Sequence, residues 1–147
     1  MKKIIIILFS LVIAGCITVK VPKYLHQDFP YRQDYAASFE RTFSATVGAL
    51  RESGWSIIET TDPASFEPGA NNSGRQVLIF TRIRQTPLLL ISSYSSLNAY
   101  LREMDKDRTQ VEIRYLHVLP LPFKHFSNYQ NDALVKKIFN KISEKLK

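Results

Sequence analysis

The sequence contains little cysteine, glycine and histidine, and each scarcity excludes a class of site. Cys16 is the only cysteine among 147 residues, so no disulfide can form within the chain. The five glycines are not clustered, and a glycine-rich phosphate-binding loop is absent from the sequence. The three histidines do not form an HExxH pattern, and a second cysteine for a zinc site is lacking. The sequence therefore has no recognisable motif for phosphate or zinc chemistry.

Long apolar runs are also lacking, apart from one at the N-terminus. Residues 4–13 are almost entirely aliphatic, follow Lys2 and Lys3, and precede Ala14-Gly15-Cys16. This run has about ten residues, whereas a membrane-spanning helix needs about twenty, so a permanent transmembrane anchor is not expected. A short positive start, an apolar stretch and small residues before the cut are typical of a signal peptide, here residues 1–15.

Residues Ile13-Ala14-Gly15-Cys16 resemble the lipobox of bacterial lipoproteins: an aliphatic residue, a small residue, Gly or Ala, then Cys. The resemblance implies a diacylglycerol thioether on Sγ of Cys16, cleavage before Cys16, and acylation of the new amine by a chain such as palmitate. Two or three acyl chains anchor a protein stably where one does not. Ile17, rather than Asp, implies delivery to the outer membrane of a Gram-negative envelope. The alternative is a plain secretory signal with an incidental cysteine.

Residues 16–34 are interpreted as the lipidated N-terminus and a tether. Pro22 and Pro30 break helix continuity and favour extended chain. Fully stretched, such a segment would reach roughly 60 Å. Its aromatic residues, Tyr24, Phe29 and Tyr31, indicate that part of it lies on the domain or at the membrane interface, because a flexible linker would be richer in Gly and Ser.

Residues 35–147 are predicted to form one domain that begins and ends with a helix. Apolar residues recur at helical spacing from Phe39 to Leu50, with Ser38 as the N-cap and Gly54 as the stop. Asn131 caps a closing helix with an apolar stripe. The stripe consists of Val135, Ile138, Phe139, Ile142 and Leu146.

Between the helices the pattern predicts about four antiparallel strands. They start near Trp55, Arg75, Leu88 and Arg108, with breaks at Gln85-Thr86-Pro87, at Asp105-Lys106-Asp107 and at Pro120 and Pro122. Strands grouped between two amphipathic helices favour an α+β two-layer sandwich, with both helices on one face of the sheet.

Alternation along the strands divides the apolar residues between the two faces of the sheet. If the helices cover Val77, Ile79, Val111 and Ile113, the opposite face carries Leu78, Phe80, Leu116 and Val118. An open apolar face implies a partner, a dimer or cover from the tether. Cover from the tether is the preferred interpretation.

The domain loosely resembles the C-terminal domains of BamC-family lipoproteins, which belong to an outer-membrane β-barrel assembly machine. The resemblance rests on Tyr35 with Phe39, on the run Leu50–Trp55, and on Thr109 to Tyr115 with a closing helix. It implies a two-layer module of helix, antiparallel sheet and helix. BamC proteins have two such domains and a long N-terminal segment, whereas this chain has one domain and a short tether.

Candidate chemical groups are few. His117 and His125 could form a metal-ligand pair, although solvated histidines are the simpler interpretation, and the same holds for His26. The serines Ser92, Ser93, Ser95 and Ser96 lack a nucleophile-elbow motif, and small polar residues in a strand explain them. Several arginines could gather beside Phe80 and Tyr100, or pair with Glu103 and Glu112. These arginines are Arg82, Arg84, Arg102, Arg108 and Arg114.

The sequence thus predicts a lipid-anchored, non-enzymatic structural or protein-interaction module of the bacterial envelope. Its partners would be the membrane, through the lipid on Cys16, and an envelope protein. No cofactor is expected. Despite a basic and aromatic sheet face, no nucleic acid is expected as a partner, because an envelope lipoprotein rarely meets nucleic acid. A small-ligand or lipid-binding lipoprotein is the alternative, and a hydrolase that uses the serine cluster is a third hypothesis.

Overall fold

A computed structural model of the chain describes residues 19–67, 74–88, 91–121 and 124–147. The predicted signal peptide, Cys16 and Ile17 lie outside these ranges. The described residues form an antiparallel sheet of seven strands with two α-helices, which confirms the α+β class.

The elements follow one another as strand, helix, strands, helix. The strands are β1 (Tyr31–Tyr35), β2 (Ile57–Thr61), β3 (Gln76–Thr81), β4 (Arg84–Leu88), β5 (Ile91–Asp105), β6 (Arg108–Leu121) and β7 (Lys124–Asn128). The α-helices are α1 (Phe39–Glu52) and α2 (Asp132–Leu146), and a short 3₁₀-helix covers Pro63–Ser65.

A long hairpin of β5 and β6 runs the length of the sheet. In what we call the proximal half, near the turn at Lys106–Asp107, the strand order is β1-β6-β5-β3-β2. In the distal half, β4 pairs with the first residues of β5 and β7 pairs with the last residues of β6. The two halves therefore share a spine but have different neighbours.

The expected number of about four strands is wrong, because β1, β4 and β7 were not predicted. Each has only five residues and lies at an edge of the sheet. Gln85-Thr86-Pro87 lies within β4, and Pro120 lies within β6 rather than ending it. Strand β4 is an edge strand, and Pro120 lies beyond the last β5–β6 pair, so that it pairs only with β7. Proline is tolerated at both places because its missing N–H is not needed for pairing on the open side.

The expected order, with a helix at the start of the domain, is also corrected. Strand β1 precedes α1 and pairs with β6 from Tyr31 opposite Ile113 to Tyr35 opposite Thr109. All residues of this strand except Tyr35 lie within the segment interpreted as a tether. The folded unit therefore includes residues before Tyr35.

One face of the sheet, the helix side, packs against α1 and α2. Ile79, Leu101 and Ile113 from the strands meet Leu50 of α1 and Ile138 of α2 in one buried cluster. Each of these five side chains is fully buried. Burial of a Leu or Ile side chain contributes about 1.5–3 kcal/mol, so this cluster is the main core of the domain.

Residues at the helix ends explain where the helices begin and end. After α1, the N–H of Gly54 donates to the carbonyl of Arg51 and the N–H of Trp55 to that of Leu50, with Gly54 at a φ of 81°. This is a Schellman end, which needs a left-handed residue. Asn131 caps α2 by accepting from the N–H of Leu134, as predicted. Ser38 precedes α1 without a side-chain hydrogen bond to it.

The opposite face of the sheet is covered by residues 19–30, which we call the N-terminal strap. Leu25 is buried with Leu116 and Val118, and Val19 and Val21 pack against them. The preferred prediction, that the segment after Cys16 covers this face, is confirmed for the described residues. We call this face the strap side.

Candidate functional site

The most elaborate polar arrangement in the described residues lies on the strap side. It begins at Asn98 of β5, whose side chain is fully buried. Its Oδ1 accepts from the N–H of Leu25 at 2.7 Å, and its Nδ2 donates to the carbonyl of Lys23 at 3.1 Å. The amide thus satisfies two backbone groups that no strand pairs, which a buried backbone requires. Asn98 fixes the strap to the centre of the sheet.

Arg114 of β6 lies beside this clamp, with its side chain 6% exposed. Its guanidinium donates to Glu112 Oε1 at 2.6 Å, to the Tyr24 hydroxyl at 2.7 Å and to the Leu25 carbonyl at 3.2 Å. It also pairs with Glu67 at 2.5 Å. Charge-assisted hydrogen bonds of this kind are about twice as strong as neutral ones. Arg114 therefore joins the sheet, the strap and the segment after β2.

Glu112 is the second buried charge of this group, and Arg32 of β1 reaches it from the other side. Arg32 Nε donates to Glu112 Oε2 at 2.8 Å. Two arginines and two glutamates, Glu112 and Glu67, are thus neutralised within one cluster. Buried charges need such pairing, because desolvation of a lone charge is costly.

The pKa directions follow from this pairing. Burial alone would lower the pKa of Arg114, but the charge of Glu112 and hydrogen bonds with Glu67, Glu112 and Tyr24 raise it overall. Burial alone would raise the pKa of Glu67, yet hydrogen bonds from Tyr24 and Arg114 hold it below its usual value. Burial and the bond to Glu67 raise the pKa of the Tyr24 hydroxyl. Arg114 therefore keeps its positive charge, Glu67 its negative charge and Tyr24 its proton at neutral pH.

Aromatic side chains complete the cover of the strap side. Tyr24 stacks on Phe66, and Phe66 meets Phe80 edge to face, both with ring centroids 5.2 Å apart. Leu78 and Tyr100 belong to the same buried group. Phe66 follows the 3₁₀-helix, whose Asp62 caps it through the N–H of Ala64. The strap and residues 62–67 together close this face over the proximal half.

The predicted arginine group is only partly formed. Arg114 and Arg102 lie over the Tyr100 ring, at 5.8 and 5.1 Å from its centroid. Arg84 instead stacks on Trp55, at 4.6 Å. Arg108 pairs with Asp105 beside the β5–β6 turn, and Arg82 is exposed. The alternative interpretation, pairing with acidic residues, describes Arg114 at Glu112, while Glu103 is paired by Arg75.

The histidines do not form the proposed ligand pair. In the β6–β7 register, His117 lies opposite Asn128 and His125 lies opposite Pro120. Because neighbouring residues of a strand point to opposite faces, this register places His117 and His125 on different faces of the sheet. His26 is exposed, 3.6 Å from Asp28. Within the described ranges, no three metal-binding side chains come together.

The serine cluster does bring a hydroxyl to a histidine. Ser95 Oγ lies 3.0 Å from His117 Nδ1 and 3.3 Å from the Tyr115 hydroxyl, on the helix side. The Ser92 hydroxyl, on the other face, accepts from Gln85. A nucleophilic serine needs a base and a group that orients the base, and no carboxylate of the described residues hydrogen-bonds to His117.

Two depressions in the described part of the chain are shallow. One depression of about 400 Å³ lies along the exposed, lysine-rich side of α2. A second, of about 360 Å³, lies at the end of α1 beside Trp55. Both open broadly to solvent, unlike the enclosed clefts that bury a small ligand.

Comparison with known proteins identifies no relative of this chain. No family model matches the chain, and no curated protein is significantly similar to it. Neither of the two α-helices in the described residues is long and apolar enough to cross a membrane.

Sequence reasoning missed the buried charge cluster. Glu112 and Arg114 read as the solvent-facing positions of a strand, because they alternate with Val111, Ile113 and Tyr115. Their cover comes from Tyr24 and Leu25, about ninety residues earlier in the sequence. A purely local pattern does not carry that information. The available signal was the aromatic content of the tether.

Proposed function

We propose that the chain is a lipoprotein of the bacterial envelope, anchored through Cys16, that works as a non-enzymatic structural or protein-interaction module. The lipobox at Ile13–Cys16 and the absence of a longer apolar run in the sequence support the anchor. In a Gram-negative cell, Ile17 favours the outer membrane. The loose resemblance to BamC-family domains supports a role as an accessory subunit of an envelope assembly.

The observation that carries the proposal is the fixed position of the strap. Val19, the first described residue, packs on the domain and is three residues from Cys16. Three residues span at most about 10 Å. An anchor at Cys16 would therefore hold the domain against the membrane surface. If the whole segment were a flexible tether, the domain could lie up to roughly 60 Å from the membrane. Such a short attachment suits a module that works at a fixed distance from the membrane.

The alternative, a lipoprotein that binds a small ligand, has less support. Both depressions described above are open, and the sheet face opposite the helices is filled by Leu25, Tyr24 and Phe66. Native mass spectrometry of the purified protein tests it, since a retained small molecule would favour binding over the interaction module.

The anchor is tested by Cys16→Ala in cells given labelled palmitate, followed by membrane fractionation. The wild-type chain should label and sediment with membranes, whereas the variant should do neither. Ser10→Ala, within the apolar run, is the matched control and should behave as wild type. A Cys16→Ala protein that still labels and stays in the membrane would exclude the proposed anchor. Ile17→Asp should move the protein from the outer to the inner membrane of a Gram-negative host.

The interaction role is tested by crosslinking in intact cells with the lipidated full chain. In intact cells the wild type should crosslink reproducibly to an envelope protein. This crosslink should be lost when the crosslinker is added after detergent extraction. Capture of nothing across several crosslinkers would count against an interaction module. Alanine substitution of Ser95 addresses the hydrolase hypothesis, since an activity that depends on this serine would contradict the non-enzymatic proposal.

A further inference from the structure

Two exposed and three half-buried apolar side chains lie on one face of the distal half of the sheet. Leu88 and Phe126 are 43% and 50% exposed, and Ile91, Leu119 and Leu121 are half-buried. Register pairs Leu88 with Ile91 and Leu119 with Phe126. Directly opposed residues share a face, and alternation along β5 and β6 places all five on the helix side. We call these five residues the distal apolar surface.

The helices do not cover this surface. The core that packs against α1 and α2 reaches Leu97 on β5 and Tyr115 on β6, and none of the five residues belongs to it. Exposed apolar residues scattered singly are normal, whereas several apolar residues at one end of one sheet face indicate a binding surface.

The chain segments that form the distal half of the sheet carry charge of one sign. Residues 82–102 and 115–131 contain no Asp or Glu, although the chain has thirteen acidic residues in all. Arg82, Arg84 and Lys124 are exposed there, and Lys124 lies 5.0 Å from the Phe126 ring. Apolar groups bordered by basic residues match a bilayer with anionic head groups.

The first described residues of the strap lie in the same half of the molecule, on the other face of the sheet. Val19 and Val21 pack against a cluster that contains Val118, which is three residues before Leu121 in β6. Cys16 is within about 10 Å of Val19 along an extended chain. The acyl chains and the distal apolar surface can therefore reach one membrane together.

We propose that the distal apolar surface inserts shallowly into the bilayer beside the lipidated Cys16 and sets the orientation of the domain. This inference rests on the proposed anchor at Cys16. The acyl chains hold the protein at the membrane, while Leu88, Phe126 and Lys124 fix which end of the sheet faces it. The proximal half, with the β5–β6 turn, then points away from the membrane and is presented to envelope partners.

The test adds a tryptophan at either end of the sheet of the full-length lipidated protein. Phe126→Trp places a reporter on the distal apolar surface, and Met104→Trp is the matched control at a similarly exposed site beside the β5–β6 turn. Both proteins are reconstituted in phosphatidylcholine and phosphatidylglycerol vesicles with brominated acyl chains. Trp55, which is fully buried, gives the background in the wild-type protein.

Interfacial groups enter a bilayer by about 5–10 Å, so bromine should quench the reporter of the Phe126→Trp protein about twofold or more over the control. Equal quenching of both reporters would overturn the inference. Vesicle flotation separates the two proposals. A protein that floats with lipid on Cys16 but shows no quenching of the distal reporter keeps its anchor and loses the docked surface. A protein that neither floats nor carries lipid contradicts the anchor itself.

A protein occupant of the surface would give a different result. The reporter of Phe126→Trp would then be shielded from a water-soluble quencher in native membranes but remain accessible in pure lipid vesicles, and that outcome would also overturn membrane docking. Circular dichroism of both variants verifies that the fold is retained. Leu88→Glu, added to the Phe126→Trp protein, provides a further variant. We expect the distal reporter to become more accessible to the soluble quencher in it while flotation persists.

Discussion

The helix side and the strap side of the sheet are both buried over the proximal half, but by different means. On the helix side, the aliphatic stripes of two regular helices pack against Ile79, Leu101 and Ile113. On the strap side, an irregular segment is held by the Asn98 amide and the Arg114 guanidinium. Helices satisfy their own backbone groups, whereas an irregular cover needs partners from the sheet. The polar residues buried on the strap side follow from that need.

The difference also concerns specificity. An apolar core permits several packings of similar energy, since hydrophobic contacts have no direction. Paired charges and a bonded amide accept one arrangement of the strap. The strap carries the chain to Cys16, so a unique position of the strap gives the proposed anchor a unique position on the domain.

The largest expected effect comes from breaking the buried pair on the strap side. Arg114→Met leaves Glu112 buried with only Arg32 beside it, and loss of one partner of such a pair costs about 3–5 kcal/mol. Urea unfolding followed by circular dichroism measures this. Arg108→Met, in the same strand but exposed, is the control and should change the free energy of unfolding by less than about 0.5 kcal/mol.

The double variant Arg114→Met/Glu112→Leu sharpens the result. Because it removes both buried charges, we expect most of the lost stability to return. If the double variant is no more stable than the single one, the cluster stabilises the fold through its other bonds, to Tyr24 and Glu67, rather than by neutralising Glu112.

Titration of Tyr35 reports on the helix side. Burial raises the pKa of Tyr35 to about 12 from a usual 10.0, and its hydroxyl donates to the Phe139 carbonyl. The unfolded chain therefore loses this proton first, and the stability that the neutral phenol contributes is present below pH 10 and lost as the pH rises to about 12. Two pKa units correspond to about 2–3 kcal/mol. Unfolding free energies measured between pH 9 and 12 should fall less in Tyr35→Phe.

Tyr24 also has a raised pKa, so Tyr24→Phe is the matched control on the strap side. In Tyr24→Phe, the loss of unfolding free energy that comes from ionisation of Tyr35 at high pH should remain. If the unfolding free energy fell equally little between pH 9 and 12 in both variants, the alkaline response would not distinguish the two faces.

Asn98→Ala should loosen the strap while the helix side keeps its packing. The N–H of Leu25 would be left buried without a partner, which costs about 1–3 kcal/mol. Amide hydrogen exchange should speed up at Leu25 and its neighbours, with little change in α1 and α2. Asn140→Ala, on the exposed side of α2, is the control. Faster exchange spread evenly over the domain would mean that the strap does not open separately.

These two faces also show what a sequence can predict. The alternation of Val111, Ile113 and Tyr115 indicates β6 and its faces correctly, and the cap at Asn131 marks the start of α2, because both signals are local. Strands β4 and β7 escape prediction because all their residues are exposed and no apolar alternation marks them. The charge cluster escapes because Glu112 and Arg114 are buried by residues remote in sequence, not by their own strand.

The smallest expected effect is an acid response of the strap side through Glu67. Hydrogen bonds from Tyr24 and Arg114 hold the pKa of Glu67 below its usual 4.5, and Arg102 adds charge attraction. The unfolded chain therefore binds this proton at a higher pH, and the contribution of ionised Glu67 is present above pH 4.5 and lost as the pH falls through the lowered value. Urea unfolding between pH 7 and 3 should show a smaller loss in Glu67→Gln than in the wild type.

The matched control is Glu52→Gln on the helix side, since the pKa of Glu52 is also lowered, by Lys145 and Lys141 at the surface. Exposed ion pairs are screened by salt, whereas partly buried ones are screened much less. At high salt, the difference between Glu52→Gln and wild type should vanish while that of Glu67→Gln remains. A Glu67 contribution that disappears with salt would mean that the strap is held by surface electrostatics, and that its position beside Cys16 is not fixed by a buried pair.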